Sequence, residues 1–78
     1  MIGANGWRDF QHGEAWSEIL AFLKAQIEQR RGVLEKPGVS ERDADAARGG
    51  IEMAKSLMAF PEMKVEAAEI REKRGNGT

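Results

Sequence analysis

Few side chains in this sequence belong to the types that carry enzyme chemistry. His12 lies in a glycine-rich segment without a second histidine, and the chain has no cysteine. One histidine cannot supply a histidine-pair metal site, and a general base needs an orienting carboxylate at a defined position. We therefore interpret His12 as a surface or locally hydrogen-bonded residue.

The serines, glycines and carboxylates also lack the spacing that chemistry requires. Ser17 and Ser56 fall inside helical patterns, and Ser40 is placed to cap a helix. Neither residues 3–6 nor residues 48–50 follow a strand or carry the lysine and hydroxyl of a phosphate-binding loop. Acidic and basic residues alternate, which is typical of a solvated helix face. We expect no catalytic residue, no cofactor and no metal, and we predict that the protein is not an enzyme.

Length and charge narrow the functional class further. A chain of 78 residues forms one small domain that buries only about 60% of its unfolded surface. Its 12 basic and 13 acidic residues nearly cancel, which argues against a large nucleic-acid-binding surface and a polybasic membrane surface. No apolar run is long enough to span a bilayer, and the first residues lack the segments of a signal peptide. We expect a soluble protein that binds neither nucleic acid nor membrane and is not secreted by a signal peptide.

Two segments show the apolar periodicity of helices that pack on one side. The first, residues 14–35, carries the stripe Trp16, Leu20, Leu23, Ile27 and Leu34. The second, residues 41–60, carries the stripe Ala44, Ala47, Ile51, Ala54 and Met58. Between them, Pro37 disfavours helical geometry at Lys36, and Gly38 can supply the positive φ of a type II turn. The sequence therefore predicts an all-α fold built on an antiparallel helical hairpin.

The segments outside the hairpin are predicted to be shorter or irregular. Pro61 ends or kinks the second helix and also suits the first position of a new one, so residues 61–74 are predicted to form a short C-terminal helix. Residues 1–13 are predicted to form an irregular arm that carries two aromatic residues. The prediction is one domain over residues 14–74, followed by a flexible tail at 75–78.

Two features allow more than one interpretation. Trp7 and Phe10 either cover the open end of the hairpin near Trp16 and complete the core, or stay exposed and anchor a partner. Gly49-Gly50 lies inside a helical pattern, where each glycine costs about 1 kcal/mol relative to alanine. The pair makes room for side chains of the first helix, produces a local kink, or lets the backbone of a partner approach.

Both predicted helices carry more apolar surface than a single helix pairing uses. We therefore expect the chain to bind protein, either other copies of itself or a larger assembly. The predicted contact residues are Trp7, Phe10, Ile19, Phe22, Met53 and Leu57.

Over residues 16–61 the sequence resembles small helical-hairpin proteins that are encoded among the packaging and structural genes of tailed bacteriophages. The resemblance lies in Trp16-x-x-Ile19-x-x-Phe22-Leu23, the helix end Leu34-Glu35, a short Pro/Gly loop, Arg48-Gly49-x-Ile51 and Phe60-Pro61. It implies a structural protein of the virion or of its assembly, in the virion or the host cytoplasm, that works by binding other proteins. The alternative is a small regulator or inhibitor, of the host-takeover or anti-defence type, that binds one host protein.

Overall fold

The protein is an all-α structure of three helices. A computed structural model describes residues 1–76, with α1 at Ala4–Gln11, α2 at Glu14–Glu35 and α3 at Glu41–Asn76. The prediction of an all-α fold is confirmed, and so are both ends of α2 and the first residue of α3.

The loop between α2 and α3 turns the chain back through local chemistry. Gly38 takes a positive φ of 74°, which favours glycine. The Ser40 Oγ accepts a hydrogen bond of 3.1 Å from the backbone N–H of Asp43, and this caps the first turn of α3. Because the connection spans only residues 36–40, α2 must pack against the first half of α3.

The core between α2 and α3 follows the two predicted stripes. Leu23 and Ile27 of α2 pack with Ile51 and Ala54 of α3, and all four are buried. The other buried members of the stripes are Trp16, Ala44 and Ala47. Small residues on α3 let the two helix axes approach closely, so α2 supplies most of the bulk of this core.

The predicted short C-terminal helix is wrong, because α3 runs without interruption through Pro61 for 36 residues. Pro61 is the largest fully buried side chain among the described residues. A proline inside a helix loses one backbone hydrogen bond, here to the carbonyl of Leu57, which is an exposed residue that water can reach. Burial of the ring offsets part of this cost. Residues 75–76 of the predicted flexible tail are helical, and 77–78 lie outside the described residues.

The predicted irregular arm is also wrong, because residues 4–11 form α1. A ladder of contacts holds α1 antiparallel to the second half of α3. The Ala4 N–H donates to Glu72 Oε1 at 3.1 Å, and Arg8 pairs with Glu69 at 2.5 Å. Since these partners lie more than 60 residues apart in the sequence, local patterning could not reveal the helix.

Together α1 and α2 cover the length of α3 and form a thin, elongated slab. The molecule measures 59 × 27 × 15 Å, and its radius of gyration is 17.2 Å against about 11.5 Å for a compact domain of this length. Its accessible surface is 6043 Å², whereas a compact monomer of 8.6 kDa exposes about 4,700 Å². Within residues 1–76, no helix combines the length and the apolar character needed to cross a bilayer.

Candidate protein-interaction surface

His12 lies where α1 ends, and its ring has a local partner. The imidazole Nδ1 is 2.7 Å from the carbonyl oxygen of Arg8. Because a carbonyl can only accept, Nδ1 donates in this bond. The prediction of a surface or locally hydrogen-bonded histidine is confirmed, because His12 is exposed and has this bond. Across residues 1–76 there is no group of three or more histidine, cysteine, aspartate or glutamate residues that could hold a metal ion.

Five large apolar side chains at the surface form one line on each long helix, and Met63 and Ile70 are exposed elsewhere on α3. On α2, Ile19 and Phe22 are three residues apart, so they point to the same side. On α3, Met53, Leu57 and Phe60 follow at spacings of four and three and also share a side. Phe22 and Met53 are the most exposed of the five, at 62% and 64%.

Arg30 and Gly50 place the two lines next to each other. The line on α2 continues from Phe22 through Gln26 to Arg30, and the line on α3 begins one turn before Met53, at Gly50. The Arg30 side chain lies over Gly50 so closely that a methyl group there would overlap it. Since the helices are antiparallel, the two lines run side by side from this contact. We call the surface formed by Ile19, Phe22, Met53, Leu57 and Phe60 the apolar face.

A chain of aromatic rings extends the apolar face onto α1. The Trp7 ring meets the edges of Phe60 and Phe10, at centroid distances of 5.6 and 6.0 Å. Phe10 in turn lies 5.4 Å from the buried ring of Trp16. Trp7 is half-buried, and Phe10 remains 36% exposed. Both rings therefore cover the end of the core, and Phe10 also borders the apolar face.

The opposite broad side of the slab carries charge. Lys24, Glu28 and Arg31 of α2 lie beside Lys55 of α3, around a shallow hollow floored by Ile27. The Arg31 guanidinium pairs with Glu28 at 3.0 Å. Such exposed pairs contribute only about 0.3–0.5 kcal/mol each, so this side is a solvated surface. This charged cluster and the apolar face thus lie on different broad sides.

At the loop end, the side that carries the apolar face opens into a cleft of about 970 Å³. We call it the loop cleft. Its walls come from both long helices and the connection between them, and it is lined by Gln26, Gln29, Arg30, Val33, Lys36, Pro37, Gly38, Val39, Ser40, Asp43, Ala46 and Ala47. The bulky side chains therefore occupy one half of this side and the cleft occupies the other.

The two glycines inside α3 have different surroundings. At Gly50 the space of a side chain is filled by Arg30, whose Nη1 donates to Gln26 Oε1 at 2.6 Å. At Gly49 nothing lies within 4 Å of the position that a Cβ would take. Making room for a side chain of α2 is therefore the role of Gly50, and the side chain is Arg30.

The structure brings four predicted contact residues, Ile19, Phe22, Met53 and Leu57, onto one surface, with Trp7 and Phe10 at its α1 end. Phe60 was not among the predicted contact residues, although its spacing of three from Leu57 places it on the same side of the helix. Comparisons with protein-family models, with curated proteins and with solved structures find no match for this chain.

Proposed function

We propose that this protein is a non-enzymatic interaction protein that works by burying its apolar face against another protein surface. The observation that carries the proposal is the separation of the apolar face and this charged cluster onto different broad sides of a slab 15 Å thick. A helical pair that acted alone in water would gain from charge on both broad sides.

The size of the apolar face supports the same proposal. At the exposed fractions of its side chains, the face together with Phe10 presents on the order of 500 Å² of apolar surface. The largest apolar patch on a typical monomer covers about 300–600 Å² and is often functional. The surface of the whole chain also exceeds that of a compact monomer of the same mass. A partner that covers the face would remove much of this excess.

For the biological setting, we propose a structural or assembly role in a tailed-phage particle. This part rests on the sequence pattern of residues 16–61, which includes Ile19, Phe22 and Phe60 of the apolar face. A regulator that binds one host protein would use the same face, so the two settings differ in where the complex is found.

The test places a photo-crosslinking phenylalanine analogue at Phe22 in the cells that produce the protein. Lys24 is the matched control, because it lies two residues away on the charged side of α2. We expect a discrete crosslinked product from position 22 and none from position 24. Equal crosslinking at both positions, or none at either, would contradict the proposal.

The same experiment separates the two settings. A role in a phage particle predicts that the crosslinked product sediments with assembled particles. A product that stays in the soluble fraction, joined to one other cellular protein, would instead favour the regulator. Mass spectrometry of the product identifies the partner in either case.

A further inference from the structure

We infer that the apolar face is covered by a second copy of this chain, placed antiparallel across a two-fold axis that lies in the plane of the interface, perpendicular to the long axis of the slab. The inference rests on the proposed function and names its partner. The side that carries the face suits such a pairing by its shape, by the charges at its two ends and by its area.

The shape of this side is complementary to itself. Ile19, Leu57 and Phe60 stand in one half, and the loop cleft opens in the other half of the same side. A two-fold rotation about an axis between the halves, close to Met53, lays the bulky half of each copy over the cleft of the other. Such an interface is isologous, because both copies contribute the same surface to it.

The charges at the ends of this side also match in the antiparallel arrangement. Asp43 lines the loop cleft, and Lys64 lies one turn beyond Phe60, with its ammonium group 5.4 Å from the centre of that ring. Antiparallel pairing sets Asp43 of each copy over Lys64 of the other, while Lys36, which also lines the cleft, lies at the end of α2. In a parallel pairing Asp43 and Lys64 lie at opposite ends of the interface and do not meet.

Between these two ends, both lines are almost free of charge. Among the described residues on the line from Ile19 to Val33 and on the line from Ala46 to Phe60, Arg30 is the charged one. Its guanidinium is already bound to Gln26 within the chain. Burying the middle of this side therefore covers one charged group, whose guanidinium already has hydrogen-bond acceptors within the chain.

The available area is that of a stable dimer. The slab is 27 Å wide, and the line from Ala15 to Val33, on which Arg30 is the charged residue, runs about 27 Å along α2 at 1.5 Å per residue. This side therefore offers on the order of 700 Å² per copy, close to the roughly 800 Å² per partner of a standard interface. Two slabs stacked in this way give four helices around one shared core.

The test compares the association of the purified full chain with that of Met53→Lys and Met63→Lys by sedimentation velocity over a range of concentrations. Both methionines are on α3 and are 64% and 59% exposed, but Met63 lies on the side away from α1 and α2. We expect a monomer–dimer equilibrium that Met53→Lys weakens by at least about 100-fold, because two buried methionines are lost per dimer. Met63→Lys should leave it unchanged.

Two outcomes would overturn the inference. One is a chain that stays monomeric at every concentration, and the other is a dimer that Met53→Lys and Met63→Lys affect equally. Helical circular dichroism checks that the variants fold, and Phe22→Lys serves as a second variant on the face should Met53→Lys lose helicity.

The orientation is tested with single cysteines, since the natural chain has none. Antiparallel pairing predicts that an equal mixture of Leu57→Cys and Ala46→Cys forms mixed disulfide dimers under mild oxidation, because a two-fold axis near Met53 sets Leu57 of one copy over the cleft wall around Ala46 of the other. Preferential crosslinking of Leu57→Cys with Phe22→Cys, which lies level with Leu57 on α2, would show parallel pairing and overturn the arrangement.

Failure of self-pairing and failure of the proposed function give different results. A purified chain that stays monomeric while position 22 crosslinks to a different protein would overturn the second copy and leave the interaction function intact. A monomer that also gives no crosslink in cells would overturn both.

Discussion

Arg30 takes the space at Gly50 that a side chain of α3 would otherwise fill. The arginine side chain packs against the neighbouring helix while its head group binds Gln26, so a long polar side chain fills the gap between the helices at the surface. Gly49, one residue earlier, has open space around it. Both glycines destabilise the helix backbone, but only at Gly50 does the missing side chain allow a close contact with the neighbouring helix.

We expect Gly49→Ala to raise the free energy of unfolding by about 1 kcal/mol, because alanine orders the helix backbone better and meets no neighbour. Gly50→Ala should give no gain, since the new methyl group displaces Arg30 and breaks its bond to Gln26. Urea unfolding followed by circular dichroism, at one protein concentration, measures both. An equal gain at the two positions would mean that the packing of Arg30 contributes nothing to stability.

The cap at Ser40 gives a second prediction at the same scale. Ser40→Ala should lower the free energy of unfolding by about 1 kcal/mol, because the Asp43 N–H loses its acceptor at the start of α3. Ser56→Ala is the matched control, since Ser56 is exposed in the middle of α3, where alanine is the better helix former. Equal effects of the two substitutions on the urea midpoint would show that the cap does not hold the turn.

At the scale of elements, α1 is the helix that depends most on its neighbours. Eight residues, with a glycine among them, are too few for a stable helix in water. The helix is held by its ladder to α3 and by the edge contacts of Trp7 with Phe60 and Phe10. Since Arg8 and Glu69 are both exposed, their ion pair adds at most about 1 kcal/mol, so the rings hold α1 more firmly.

Trp7→Ala should therefore release α1 from α3. We expect the free energy of unfolding to fall by about 2 kcal/mol, less than for a fully buried tryptophan because Trp7 is half-buried. Amide hydrogen exchange over residues 4–11 should become fast while that of α2 stays slow. Met63→Ala, which removes a large exposed side chain elsewhere, should change stability by no more than about 0.5 kcal/mol. Unchanged exchange in α1 after Trp7→Ala would show that its polar contacts suffice.

At the scale of the whole molecule, the decisive property is thinness. A slab 15 Å thick has almost no interior beyond the single seam along α3, so a large share of its apolar side chains stays in contact with water. Covering one broad side is the most direct way for such a shape to gain stability, because hydrophobic stabilisation grows with the apolar area removed from water.

If a second copy provides that cover, stability must depend on protein concentration. We expect the midpoint of thermal unfolding to rise with concentration, since each tenfold increase stabilises a dimer by about 1.4 kcal/mol. Met53→Lys should remove this dependence and Met63→Lys should keep it. Circular dichroism melts at several concentrations measure the effect, and a midpoint that does not change with concentration in the natural chain would contradict self-association.

The sequence by itself determined α2, the start of α3 and the turn between them. Pro37, Gly38 and Ser40 act on their own neighbours, so α2 ends and α3 begins where local chemistry requires. The two stripes predicted the buried seam because helical periodicity places each stripe on one side. The contact residues Ile19, Phe22, Met53 and Leu57 could be chosen in the same way, and their role in binding stays a prediction.

Only the tertiary structure decided the rest. Residues 4–11 are helical because they dock on residues far away in the chain, and α3 continues through Pro61 because both of its halves are covered by neighbours. The alignment of the two exposed lines into one face follows from the contact between Arg30 and Gly50, which joins residues 20 positions apart. In each case the free energy comes from long-range packing, which outweighs the local preferences of glycine and proline that the sequence displays.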